Sequence, residues 1–168
     1  ARHGNVAMRF DFPAGKNSWA EQRFSLTKPQ RELWVHFWLK VPENFRHGRA
    51  TASNNKLFAL WMDQYSAKGA GPTVIWEFWN DGSDGSQLAY HYSPGGYRAA
   101  GAHRQHKPFI SYPADQGRWM QIVMRVKAAS GQGKNDGVIQ LYRRWDGEGS
   151  FTLLHDDRAA NIPAPASG

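Results

Sequence analysis

The chain has 168 residues, 40% of them hydrophobic, and its 21 Lys and Arg against 14 Asp and Glu give a net charge of +7. That length fits one domain with a sizeable core. The lack of cysteine excludes disulfides and thiolate metal sites, and no apolar run reaches the roughly 20 residues of a spanning helix, so no membrane insertion is expected. The positive charge favours an anionic partner without identifying it.

Alternation of apolar and polar residues, the pattern of a strand with one buried face, begins close to the N-terminus. Large apolar side chains at every second position predict a strand near 5–12. A second strand is predicted at about 18–26, with Arg23 on its polar face, before Lys28 and Pro29 turn the chain.

The clearest alternation lies at 32–41. Leu33, Val35, Phe37 and Leu39 form one continuous apolar row, which predicts that they face the core. Their alternates, among them Trp34, His36 and Trp38, are therefore expected to face outward on one strand.

Further strands are predicted at 56–63, 73–79, 87–93, 119–127 and 138–145, with basic loops at 42–55 and 94–107. Eight or nine strands without a convincing helix predict an all-β fold, a two-sheet antiparallel β-sandwich. We assign 1–160 to a single domain and the Pro- and Ala-rich 161–168 to an extended tail.

Carbohydrate sites need exposed aromatic platforms with charged or hydrogen-bonding groups between them, because sugar rings combine apolar faces with hydroxyls. Arginine also binds carboxylates through two parallel hydrogen bonds, which suits an acidic glycan. The predicted ligand-binding residues are Arg23, Trp34, His36, Trp38, Glu77, Trp79, Gln121, Arg125, Tyr142 and Arg144. The favoured function is thus a glycan-binding or surface-assembly module for an acidic polysaccharide.

A polysaccharide lyase is the first alternative. β-Elimination on a uronic acid needs a base, an acid and a group that neutralises the carboxylate. His36 or His91 could be the base and Tyr90 or Tyr92 the acid, although alternation sends His91 to the face opposite both tyrosines. Retaining hydrolysis is disfavoured, because its two carboxylates must lie about 5 Å apart and Glu77 has no acidic neighbour on its strand.

Spacing predicts no metal centre. The segments 80–84 and 135–137 are rich in oxygen ligands and could hold calcium weakly, but ordinary turns are the favoured interpretation. Nucleic acid is disfavoured as a partner, because the motif of an RNA-recognition sheet is missing.

Several segments resemble the concanavalin-like jelly-roll domains of the polysaccharide-lyase and LamG-like group. They are SWAEQRF at 18–24, ELWV at 32–35, VPENF at 41–45, NNKLF at 54–58 and NDGVIQ at 135–140. The resemblance implies a jelly roll that recognises glycans on a sheet, and a location outside the cell or on a cell or virion surface. The short catalytic motifs of alginate lyases and glucanases have no counterpart here, so no catalytic residue is carried over.

The C-terminal region looks short for such a sandwich, with only 151–154 predicted as a strand after 138–145. Missing closing strands would leave an unpaired sheet edge, which another chain can cover. We therefore expect self-association or a larger assembly, and a structural subunit of a virion or filament is the second alternative function.

Overall fold

The computed structural model describes residues 4, 6–11, 20–48, 56–62, 73–93 and 103–165. Within these residues the fold has no helix and eight strands. They are β1 (Glu32–Lys40), β2 (Lys56–Trp61), β3 (Thr73–Asn80), β4 (Ser86–Ser93), β5 (Arg104–Ile110), β6 (Trp119–Lys127), β7 (Gly137–Trp145) and β8 (Thr152–Ala160). The described chain accordingly has no helix that could cross a membrane.

Two four-stranded antiparallel sheets make up the fold, one in the order β1-β6-β7-β8 and the other in the order β2-β3-β4-β5. This confirms the predicted all-β, two-sheet sandwich. Large side chains from both sheets fill the core, including Trp76, Tyr90 and Phe109 from one and Ile122 and Leu141 from the other. Full burial of each such side chain contributes about 1.5–3 kcal/mol to the free energy of folding. The contribution is smaller if the unfolded chain already buries part of the same surface.

β1 carries the alternation that the sequence predicted. It pairs with β6 without a break, from Glu32 opposite Lys127 to Lys40 opposite Trp119. Val35, Phe37 and Leu39 pack against the core, so the intervening side chains face outward, as period two requires.

The two strands predicted near the N-terminus are wrong over the residues that the structure describes. Residues 6–11 and 20–26 are not in strands. Val6 and Phe24 are 85% and 68% exposed, so neither segment buries an apolar row. Alternation gives a segment two different faces, but a strand also needs a neighbour with a free edge.

Two strands were missed or underestimated. β5 begins within the segment predicted as a basic loop at 94–107 and extends to Ile110. Gln105 has a positive φ of 49°, and the pairing with β4 is irregular. β8 has nine residues where four were predicted. The premise of missing closing strands is therefore wrong.

The residues that follow β8 complete the core. Ile162 is only 1% exposed, and its carbonyl accepts a hydrogen bond of 2.8 Å from the Ala129 amide. The described part of the predicted tail thus packs onto the domain.

Candidate functional site

The outer side of the β1-β6-β7-β8 sheet carries most of the predicted ligand-binding residues. We call it the Trp34 face, and it consists of Trp34, His36, Trp38, Gln121, Arg125, Gln140, Tyr142 and Arg144. The register sets these residues in rows across the sheet: Trp34 lies opposite Arg125, and Arg125 opposite Gln140. The rows combine aromatic rings with basic and amide groups.

Arg125 is held at the centre of the first row. Its guanidinium lies 5.1 Å from the centroid of the Trp34 ring, and its Nε donates a hydrogen bond of 2.7 Å to Glu32. Another of its nitrogens donates to the Gln140 amide oxygen at 3.3 Å. The hydrogen bond from Arg125 also lowers the pKa of the Glu32 carboxyl. These contacts fix the position of Arg125 within the sheet.

Arg144 occupies a different environment in the same sheet. Two nitrogens of its guanidinium donate hydrogen bonds to the side-chain oxygen of Gln121, and Nε lies 2.8 Å from that oxygen. The guanidinium also lies 4.7 Å from the centroid of the Phe151 ring. Since Gln121 is neutral, this contact orients Arg144 without cancelling its charge. Trp34 and Phe151 are 53% and 39% exposed, so aromatic surface is open beside both arginines.

The outer side of the β2-β3-β4-β5 sheet holds a second group of polar residues, the Glu77 cluster, which consists of Glu77, His91 and His103. Glu77 Oε2 lies 2.5 Å from Nε2 of His103, which lies 3.0 Å from Nδ1 of His91. Nδ1 of His91 is 4.0 Å from Glu77 Oε2. Three potential ligand atoms thus converge from β3, β4 and the residue that precedes β5.

Burial dominates the electrostatics of this cluster. Glu77 and His91 are 7% and 3% exposed. Burial lowers the pKa of His91, against the opposing effect of the Glu77 carboxylate. Lys56 lies opposite Glu77 in the sheet, and burial also lowers its pKa, partly offset by Glu77 and Glu21. The cluster therefore combines a carboxylate, two imidazoles and a nearby amine.

The predicted ligand-binding residues are divided between the two outer faces. Trp34, His36, Trp38, Gln121, Arg125, Tyr142 and Arg144 belong to one sheet, whereas Glu77 and Trp79 belong to the other. Arg23 lies outside both sheets and forms an ion pair with Glu21. The predicted ligand-binding residues of the strands thus lie on two separate surfaces.

The predicted catalytic candidates are not brought together. Tyr90 and Tyr92 belong to the buried core, where the Tyr90 hydroxyl donates a hydrogen bond of 2.8 Å to Asp157. His91 points to the opposite side of β4, as alternation predicted, and His36 is on the other sheet. These histidines and tyrosines therefore do not meet at one site.

The predicted calcium segments form turns stabilised by their own side chains. Asp81 Oδ1 accepts hydrogen bonds from the amides of Ser83 and Gly85, at 2.8 and 3.0 Å. Asp136 Oδ1 accepts one of 2.8 Å from the amide of Ser130. These contacts account for the acidic residues as turn-forming groups, and calcium binding stays a prediction.

His103 is the member of the Glu77 cluster that the sequence did not single out. It lies in the predicted loop at 94–107, and the structure brings it to Glu77 through the pairing of β4 with β5. The signal that could have found it is the unusual density of histidine at 103 and 106, beside a buried strand that carries His91.

No protein-family model, no curated protein and no solved structure matches this chain. The resemblance to concanavalin-like jelly-roll domains therefore stays a prediction beyond the two-sheet sandwich itself.

Proposed function

We propose that this domain binds an acidic polysaccharide on the Trp34 face. The observation that carries the proposal is the Arg125 guanidinium 5.1 Å from the ring centroid of an exposed Trp34. Such a pair offers an apolar platform for a sugar ring together with a donor for its carboxylate or hydroxyl groups.

The spacing of the aromatic rings favours an oligosaccharide over a single sugar. Trp34 and Trp38 are four residues apart on the same side of β1, so their Cα atoms are separated by about 13 Å in a strand. Phe151 is another exposed ring, and it lies beside Arg144. A chain of several sugars can contact such an extended surface at more than one point.

The charges of this face favour an acidic chain over a neutral one. Arg144 is oriented by a neutral amide, which leaves its positive charge available to a carboxylate or sulfate. The excess of seven positive charges in the whole chain attracts polyanions at long range. The local charge of Arg144 and the net charge of the chain both favour an acidic polymer.

The proposal can be tested by measuring, with calorimetry, the affinity of the protein for polyuronates, sulfated glycans and neutral polymers of similar length. We expect acidic polymers to bind and neutral ones to bind weakly or not at all. Trp34→Ala should weaken binding about tenfold, the effect of losing an aromatic contact of about 1.4 kcal/mol.

Two control variants lie outside the Trp34 face, one for the loss of an aromatic ring and one for the loss of a positive charge. Phe24→Ala removes another exposed aromatic ring, and Lys107→Gln removes a positive charge from β5. Equal losses in Trp34→Ala and Phe24→Ala would contradict the proposal. Release of unsaturated products, followed by ultraviolet absorbance, would instead support the lyase alternative.

A further inference from the structure

Three side chains with metal-ligating atoms meet on the opposite side of the molecule from the Trp34 face. Glu77, His91 and His103 each offer one ligand atom, and all three atoms lie within 4.8 Å of one another. In the part of the chain that the structure describes, this is the one such group of three.

The hydrogen-bonding capacity of the three atoms does not account for their convergence. Nε2 of His103 lies 2.5 Å from Glu77 Oε2 and 3.0 Å from Nδ1 of His91. A ring nitrogen carries at most one proton, which can serve one of these two neighbours well but not both. A cation placed among the three atoms would accept a lone pair from each.

The distances are compatible with a small divalent ion. In a tetrahedral zinc site with bonds of about 2.1 Å, neighbouring ligand atoms are about 3.4 Å apart. The separations of 2.5, 3.0 and 4.0 Å bracket that value. Small rotations of the side chains would therefore bring the three atoms into coordination geometry.

The burial of the Glu77 carboxylate also favours a bound cation. Glu77 is 7% exposed, and a buried carboxylate requires a compensating positive charge. Lys56 lies opposite Glu77 in the sheet, and a dication bound to the carboxylate would add to the compensation that this amine provides. His103 is partly exposed, with 26% of its side chain accessible, so an ion can enter from that side.

We propose that Glu77, His91 and His103 bind a divalent transition-metal ion, with zinc as the preferred ion. Two imidazoles and one carboxylate suit zinc and its first-row neighbours better than calcium or magnesium, which prefer oxygen ligands alone. Three protein ligands leave a fourth position for water or another oxygen ligand. The site is independent of glycan binding, because it belongs to the other sheet.

The test begins with protein stripped of metal by a chelator and titrated with Zn²⁺ in a calorimeter. We expect one equivalent to bind and the thermal unfolding midpoint to rise. Cobalt, added in place of zinc, should give the intense visible absorption of a four-coordinate ion. Absence of stoichiometric zinc binding would overturn the proposal, as would a cobalt spectrum typical of six water ligands.

Variants then assign the site to these residues. His103→Ala should weaken zinc binding at least tenfold, and Glu77→Gln should have a similar effect. His36→Ala, which removes a histidine from the opposite sheet, is the matched control and should bind zinc as the unaltered protein does. Unchanged affinity in His103→Ala would contradict the assignment. If a variant fails to fold, X-ray absorption of the zinc-loaded unaltered protein still tests for two imidazole ligands.

Discussion

The indole Nε1 of Trp76 donates a hydrogen bond of 3.2 Å to Nδ1 of His155. Trp76 is in β3 and His155 in β8, so this bond joins the two sheets through the core. Because Nδ1 is the acceptor, the proton of the neutral imidazole resides on Nε2, which donates to the Leu88 carbonyl at 3.1 Å. Both ring nitrogens are thus satisfied in the neutral form.

This arrangement predicts that the protein loses stability on mild acidification. Burial lowers the pKa of His155 to about 4, whereas an unfolded histidine titrates near 6.5. Between these values the unfolded chain binds more protons than the folded one, so the free energy of unfolding falls as the pH falls. The contribution of His155 over this interval is about 3 kcal/mol.

The measurement is urea unfolding at several pH values between 4 and 7. His155→Gln retains a hydrogen-bond donor and acceptor but does not titrate, so its free energy of unfolding should depend less steeply on pH. Burial also lowers the pKa of His91, which leaves a residual slope in the variant. An identical slope in the two proteins would show that His155 is not the responsible group.

The start of β7 has no room for a side chain. A Cβ atom at Gly137 would lie 2.6 Å from the Ala160 carbonyl oxygen and 3.0 Å from that of Lys127. Because both obstacles are backbone atoms in neighbouring strands, Gly137→Ala should destabilise the fold by about 1–3 kcal/mol. Gly149→Ala is the control, since a Cβ there meets nothing within 4 Å, and thermal unfolding of both variants separates the two cases.

The two arginines of the Trp34 face should differ in their effect on glycan binding. Arg125 already pairs with the Glu32 carboxylate, whereas Arg144 is held by the neutral Gln121. We therefore expect Arg144→Gln to reduce both the affinity for an acidic polymer and its dependence on salt more than Arg125→Gln does. Calorimetric titrations at low and high salt check this, and equal effects of the two variants would argue against it.

Self-association stays a prediction, although it now has a different physical basis. The sandwich has its closing strand, but Val6, Met8 and Phe10 are 85%, 61% and 44% exposed. Exposed apolar groups so close together in the chain favour contact with another surface. Light scattering over a concentration series should show a mass that rises with concentration, and Met8→Ser should reduce that rise. A monomer at every concentration would contradict the prediction.

The sequence predicted the strands whose alternation is strict and whose neighbours pair regularly. The prediction for 119–127 matches β6, and that for 138–145 matches β7 except for Gly137. It missed β5, where the positive φ of Gln105 and shifts in register interrupt the period of two. Local pattern therefore identified regular strands but not those shaped by their partners.

The candidate sites were also predictable only where a single strand determines them. The outward row of Trp34, His36 and Trp38 follows from one strand alone, because its alternates are all apolar. The Glu77 cluster depends on the pairing of three segments, and pairing partners are not encoded in the spacing of 77, 91 and 103 along the chain. The sequence also could not tell that Glu77 and Trp34 belong to different sheets.

The contacts of β8 with both sheets have a consequence for folding during synthesis. β8 pairs with β7 in its own sheet, and its His155 and Asp157 bind Trp76 and Tyr90 of the other. The earlier strands can therefore leave the ribosome and begin to collapse, but these two bonds between the sheets must wait for residues 152–160. Until then Trp76 and Tyr90 lack their polar partners, and the nascent domain depends on protection from aggregation.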